Sequence, residues 1–268
     1  MSDSSARVAL VTGAARGIGR ATVDALCARG YRVLAVDSCA GSGPLRPVGV
    51  DYDLSTPEQL TSLESQYPDQ VIARSVDVRD GEAMTTAACE AVDHFGRLDV
   101  AVAAAAVIIG GEPLWQTPES HLRTLLDVDV VGVWHTAAAC VPLMLSGPAP
   151  HGCRFVAVAS AAGTRGLYQL AGYNVAKHAV IGLVRGLAAD LVGTGVIAVA
   201  VSPGSTNTDM LRATADIYGL ADVEGFAASH LVRRLLQPEE LAATIAFCCS
   251  IDGAALNGSV IDASGGFT

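Results

Sequence analysis

Val8-Ala-Leu-Val-Thr-Gly-Ala-Ala-Arg-Gly-Ile-Gly19 is the stretch on which the reading of this chain turns. Val8 to Thr12 is a short apolar run of buried-strand type, and Gly13, Gly17 and Gly19 follow it within seven residues. A helical apolar pattern comes next, at Ile18, Val23 and Leu26. Strand, glycine turn and helix in that order make a phosphate cradle. The glycines allow a tight turn, close backbone approach to a pyrophosphate and close helix–strand packing, and the helix N-terminus presents free N–H groups at the positive end of its dipole. The spacing is G-x-x-x-G-x-G rather than G-x-G-x-x-G, and alone it also fits a turn with no ligand. Asp37 adds to it. It ends the next apolar run (Arg32 to Val36), roughly 20 residues past the turn, where a carboxylate binds the ribose hydroxyls of NAD. The same charge repels the extra phosphate of NADP. Arg16 weakens that preference only slightly, because no basic residue follows Asp37 directly.

The remainder of the chain fits a domain built outward from this unit. Its 268 residues are 51% hydrophobic, so core material is plentiful. A formal net charge of −10 argues against nucleic acid or an anionic membrane as partner. No apolar run both reaches membrane-spanning length and lacks charge. Met-Ser-Asp-Ser-Ser at the start lacks the basic opening and apolar core of a secretion signal, so a cytoplasmic location is expected. The seven cysteines are odd in number, contain no C-x-x-C pair and lie mostly in apolar contexts, which reads as reduced thiols and no metal site.

In chain order, residues 1–6 are polar and expected to be loose. Residues 38–56 are rich in Gly, Pro and Ser, and such a long irregular insertion is uncommon in a compact domain and often functional. Thr56 and Pro57 then start a helix as cap and first residue. Strands are expected at 70–76, 98–103, 153–159, 196–201 and 258–262, with helices at 81–95, 118–145 and 173–191 and from Pro238. Pro203-Gly204 breaks the chain after the sixth strand. Residues 205–236 suit short helices over a cleft. Strands alternating with helices mark a parallel sheet covered on both faces, and neither linker nor repeat interrupts them.

Thr12-Gly13-x-x-x-Gly17-x-Gly19, Asp37, Asp77, Ser160, Tyr173-Asn-Val-Ala-Lys177 and Pro203-Gly204 with Thr208 together resemble the short-chain dehydrogenase/reductase family over essentially the whole chain. Tyr-x-x-x-Lys alone is common by chance; with a serine 13 residues earlier and the glycine turn it is specific. The resemblance implies a single α/β domain with a seven-stranded, doubly wound Rossmann-like sheet, and NAD as cofactor. It implies contacts with NAD at Gly13, Arg16, Gly17, Ile18, Gly19, Asp37, Asp77, Val78, Ala104, Ala105, Tyr173, Lys177, Pro203, Gly204 and Thr208, although Thr208 also suits a helix cap.

Tyr173 and Lys177, four apart, share a helix face. A phenol with an ordinary pKa of about 10 is a poor base at neutral pH, and a nearby ammonium favours its ionised form. By resemblance Tyr173 exchanges a proton with the substrate oxygen, Lys177 also holds the nicotinamide ribose, and Ser160 hydrogen-bonds the substrate oxygen. Two positions depart from the family. Ala103-Ala104-Ala105-Ala106 stands where Asn-Asn-Ala-Gly is usual, which removes side chains that tie strands together. Asp129 stands where the family has its fourth catalytic residue, an Asn; if ionised, it would stabilise the ammonium of Lys177 and oppose ionisation of the tyrosine.

Asp37-Ser-Cys, Tyr52-Asp-Leu-Ser-Thr-Pro-Glu-Gln-Leu60, Asp77-Val-Arg-Asp80, Ala103 to Val107, Gly152 to Ser160 and Asn257-Gly-Ser resemble the mycofactocin-coupled branch of that family. That implies that the insertion covers a poorly exchangeable NAD, with electrons passing to mycofactocin. The leading expectation is an NAD-dependent dehydrogenase of a small, fairly apolar alcohol. Leu114, Trp115, Leu167, Tyr168, Met210, Leu211 and Tyr218 are expected to wall its cleft. An ordinary family member with exchangeable NAD is the near alternative, and a non-catalytic NAD-binding regulator the distant one. The family is commonly homotetrameric, and the apolar helical runs at 118–145 and 173–191 suit such an interface.

Overall fold

Seven short runs of Val, Ala, Leu and Ile become strands because each is apolar on both faces, as strands covered by helices on either side must be. They are β1 (Val8–Thr12), β2 (Arg32–Asp37), β3 (Val71–Ser75), β4 (Val100–Ala103), β5 (Arg154–Val158), β6 (Ile197–Pro203) and β7 (Val260–Ala263). All pairings are parallel, in the order β3-β2-β1-β4-β5-β6-β7. The computed structural model describes residues 6–268; the looseness expected of residues 1–5 lies outside them.

Side chains alternate between two cores. Val8, Leu10, Leu34 and Phe155 face α3 (Gly81–Phe95), α5 (Gly132–Ser146) and α6 (Ala171–Asp190). Ala9, Val11, Val33 and Val156 face α1 (Gly17–Cys27), α2 (Pro57–Gln66) and α8 (Pro238–Cys249). The strand order reverses between β1 and β4, and the crevice above that point, at the carboxyl ends of the strands, is where such sheets bind ligands.

The helix boundaries follow local chemistry. Thr56 caps α2 in a capping box with Gln59, and Pro57 is its first residue. Asp80 caps α3, which ends at Gly96 in the left-handed conformation, φ 86°.

Two expectations change. The helix expected over 118–145 is α4 (Glu119–Leu126) and α5 joined by one wide π turn, Asp127–Val131, whose extra residue rotates Val128 and Asp129 into the interior. This apolar length is half buried against the sheet and α3, as a core helix is. Strand β6 continues through Pro203 instead of stopping before it, since Pro203 pairs with Ala263 at the strand end. Residues 38–56 have a defined path. The Gly41 N–H donates to Ser55 O (3.0 Å) and the Leu54 N–H to Gly41 O (3.1 Å), pinching the base of the loop.

Candidate active site

The glycine turn divides its work unequally. Gly13 has φ +66°, and a Cβ there would sit 2.8 Å from the Ala105 backbone. A Cβ on Gly19 would run into the Gly13 carbonyl oxygen. Gly17 has φ +56° but open space, the nearest atom being a Thr208 methyl at 3.5 Å. The N-terminus of α1 carries no side-chain cap and no acidic residue in its first turn, so its N–H groups are left for an anion.

Asp37 lies at the far side of this cradle. Its Oδ2 accepts from the Ala15 N–H (3.1 Å), and its Oδ1 accepts from the Cys39 N–H (3.2 Å) and the Ser55 hydroxyl. A carboxylate has about four acceptor sites, so capacity remains on Oδ2 for a ribose hydroxyl. A cradle that a Cβ would fill, an uncapped helix start and a carboxylate with spare acceptor capacity fit NAD. Arg16, Ile18, Asp77, Val78, Ala104, Ala105, Pro203, Gly204 and Thr208 line the same cleft, of about 830 Å³. Thr208 also caps α7 (Asp209–Ile217), its hydroxyl accepting from the Leu211 N–H at 3.3 Å. Arg16 also has partners within the protein. It donates to Asp53 O (2.7 Å) and pairs with Asp209 at 3.2 Å, so it joins the insertion to the segment beyond β6.

The four alanines after β4 keep their place without asparagine side chains. Thr12 Oγ1 accepts from the N–H groups of Ala104 (3.1 Å) and Ala105 (3.2 Å). Asp129 Oδ1 accepts from the Val107 N–H (2.9 Å), and the Tyr52 hydroxyl accepts from the Ile108 N–H (3.1 Å). Side chains from β1, the π turn and the insertion therefore replace the missing ties. Thr124 Oγ1 adds a further tether on the insertion, donating to Val48 O at 2.9 Å.

Ser160, Tyr173 and Lys177 line the floor of the cleft, and Asp129 lies fully buried beside Lys177. The Ser160 hydroxyl accepts from the Ala162 N–H (3.2 Å), which leaves its own proton to point elsewhere. Lys177 Nζ lies 5.5 Å from the Tyr173 ring centroid. It donates to Val158 O (3.3 Å) and lies 3.2 Å from Asp129 Oδ2. Lys177 and Asp129 are 2% and 0% exposed, and the contact is an ion pair by distance, since Oδ2 accepts no hydrogen bond.

Burial alone would lower Lys177, but the Asp129 carboxylate and Tyr173 outweigh it and hold the ammonium above its ordinary pKa. Tyr173 is raised, against the expectation of a lowered phenol. Burial pushes it up most, Lys177 pulls it down, Asp129 pushes it up again, and Ser160 lowers it by hydrogen bonding.

Leu167, Tyr168, Met210, Leu211 and Tyr218 line the cleft as expected, and the Tyr218 hydroxyl donates to Tyr168 O (2.7 Å) across its rim. Leu114 and Trp115 do not. They stand 67% and 81% exposed, because the turn before α4 carries them outward. Two contributors were not legible in the sequence. Ser55, under Asp37, looks like the lead-in to a helix cap. His230 is a lone histidine without a motif. It is buried, accepts from the Ser205 N–H at Nε2 (3.0 Å) and bonds Arg234 O through Nδ1 (2.8 Å), fixing the backbone just after Gly204.

Comparison with known proteins agrees with this architecture. The family model described as enoyl-(acyl carrier protein) reductase matches residues 13–268. An NAD-dependent oxidoreductase of Mycobacterium tuberculosis is 32% identical over 262 residues, 95% of this chain and 93% of that protein. The (−)-trans-carveol dehydrogenase of Rhodococcus erythropolis is 35% identical, over 77% of this chain and 73% of that one. Among solved structures, carveol dehydrogenase from Mycobacterium avium in complex with NAD superposes with a TM-score of 0.87 at 28% identity, covering 97% of this chain and 96% of that chain. The chain belongs to the short-chain dehydrogenase/reductase family. It is an NAD-dependent oxidoreductase of alcohol and carbonyl substrates.

Proposed function

We propose that this enzyme interconverts a small, largely apolar alcohol and its carbonyl compound, using Ser160, Tyr173 and Lys177. The observation that carries this reading is the convergence of Tyr173, Lys177 and Ser160 on the floor of one cleft whose upper wall is apolar. Ser160, with its oxygen already accepting from the Ala162 N–H, turns its proton toward the substrate oxygen and stabilises charge there. Tyr173 takes the proton of an alcohol or returns one to a carbonyl, as general base or acid. Lys177 stays charged beside it and favours the phenolate. When bound, NAD supplies the hydride acceptor; the turn at Gly13–Gly19, Asp37 and the backbone at Ala104–Ala105 would hold it.

Tyr173→Phe tests the assignment. Steady-state oxidation of a panel of terpenoid and aliphatic secondary alcohols should fall by about 10²- to 10⁴-fold. Full activity in that variant would remove Tyr173 from the mechanism, and a wild type inert toward every alcohol would favour a non-catalytic NAD-binding regulator.

The insertion supports a narrower reading, in which NAD stays bound between turnovers and mycofactocin takes the electrons. Residues 38–56 are tied to the glycine turn, to the loop after β4 and to α4, through Arg16, Tyr52 and Thr124. Denaturing the purified protein should release NAD(H), and turnover should need an artificial electron acceptor. An empty protein that turns over with added NAD⁺ would establish the ordinary, exchangeable enzyme instead. A cytoplasmic homotetramer completes the proposal.

A further inference from the structure

We infer that Asp129 is a positioning residue that fixes Lys177 and sets the pH at which Tyr173 changes from proton donor to proton acceptor. The inference rests on the reading of Tyr173 as the acid–base residue and adds to it the group that sets its pH range. Asp129 Oδ1 is committed to the Val107 N–H (2.9 Å), so the carboxyl is oriented by the loop after β4. Its Oδ2 is thereby held 3.2 Å from Lys177 Nζ as an ion pair, where both groups are nearly solvent-free. An amide at this position could satisfy Val107 equally well, but its NH₂ would then meet an ammonium, donor against donor. The carboxylate is the group that suits this spot.

The consequence is a count of charge. Burial pushes the Asp129 carboxyl above its ordinary range, while the Lys177 ammonium and the Val107 N–H pull it back toward ionisation. With Asp129 and Lys177 ionised as a pair, the buried group is neutral when Tyr173 keeps its proton and carries net −1 when Tyr173 loses it. With a neutral residue at 129 the balance reverses, because the phenolate then cancels the ammonium. Burial makes the net-charged state the disfavoured one in each case. The other groups facing Tyr173 do not offset this. Ser160 is uncharged, and Tyr52, on the insertion, is a buried phenol whose hydroxyl is engaged by Ile108. Arg16 lies on the far side of the Tyr52 ring, 5.8 Å from its centroid. The upward displacement of Tyr173, with Asp129 among its causes, agrees in direction.

The test is a tyrosinate absorbance titration of four proteins. Wild type minus Tyr173→Phe isolates the Tyr173 phenol, and Asp129→Asn minus the Asp129→Asn, Tyr173→Phe double variant isolates it without the charge. The phenol should ionise at lower pH in Asp129→Asn. In the kinetics, the acidic limb of kcat/KM for alcohol oxidation and the basic limb of kcat/KM for carbonyl reduction should both move to lower pH. An unchanged or higher titration in Asp129→Asn overturns the inference. Asp129→Ser, smaller and neutral, serves if the asparagine variant does not fold, with the same criterion. Full activity of Tyr173→Phe would instead overturn the catalytic reading, while the titration still judges Asp129.

Discussion

Gly19 and Gly17 lie two residues apart in one turn, yet they are glycine for different reasons. At Gly19 the obstacle is backbone: any Cβ collides with the carbonyl oxygen of Gly13, which cannot yield without moving β1. At Gly17 the obstacle is conformation alone, φ +56° with open space around it, a preference of roughly 1–2 kcal/mol. Gly19→Ala should therefore abolish NAD binding or folding. Gly17→Ala should fold, with a Tm lowered by a few degrees and weakened NAD affinity. Thermal melts and NAD titration of the two variants separate these outcomes, and equal behaviour would show that the contact at Gly19 relaxes. At this scale the sequence was most informative: the glycine spacing pointed to Asp37, and the family resemblance to Ser160, Tyr173 and Lys177, all of which line the cleft. It could not show that Arg16 would bond Asp53 and Asp209, because these partners lie 37 and 193 residues along the chain.

Among elements, the strands and most helix starts were legible because they depend on near neighbours: Thr56 before Pro57, Asp80 before α3, and apolar runs between glycines. The π turn at Asp127–Val131 was not, since its backbone is decided by what Asp129 and Val128 meet in the interior and helical periodicity is blind to that. The insertion showed as a composition anomaly, but its attachments are long-range. Tyr52 ties it to the loop after β4. Tyr52→Phe leaves the Ile108 N–H without its acceptor, at a cost of about 1–3 kcal/mol for a buried donor. At roughly 2–4 °C per kcal/mol, Tm should drop by several degrees in a melt. NAD(H) should also escape faster on dialysis, and retention equal to wild type would detach this loop from cofactor holding.

For the whole molecule, the unpaired surface of α5 is the main open feature. Trp134 and Leu145 on α5 stand 65% and 41% exposed, and Val131, the last residue of the π turn, 38%. Val175, half exposed, adds an apolar side chain on α6. A second copy of the chain would cover such a stripe, and Trp134→Asp should then give a lower mass than wild type in light scattering at unchanged circular dichroism. An unchanged mass would place the interface elsewhere.

The tethers on residues 38–56 have a kinetic consequence. A loop held by Ile108, Arg16, Thr124 and the pinch at Gly41 opens only by breaking several hydrogen bonds together, which makes its opening a small cooperative unfolding event and not a hinge motion. If the cofactor leaves beneath that loop, its residence time is set by the local stability of about twenty residues outside the sheet, and low concentrations of urea would shorten it long before the fold gives way.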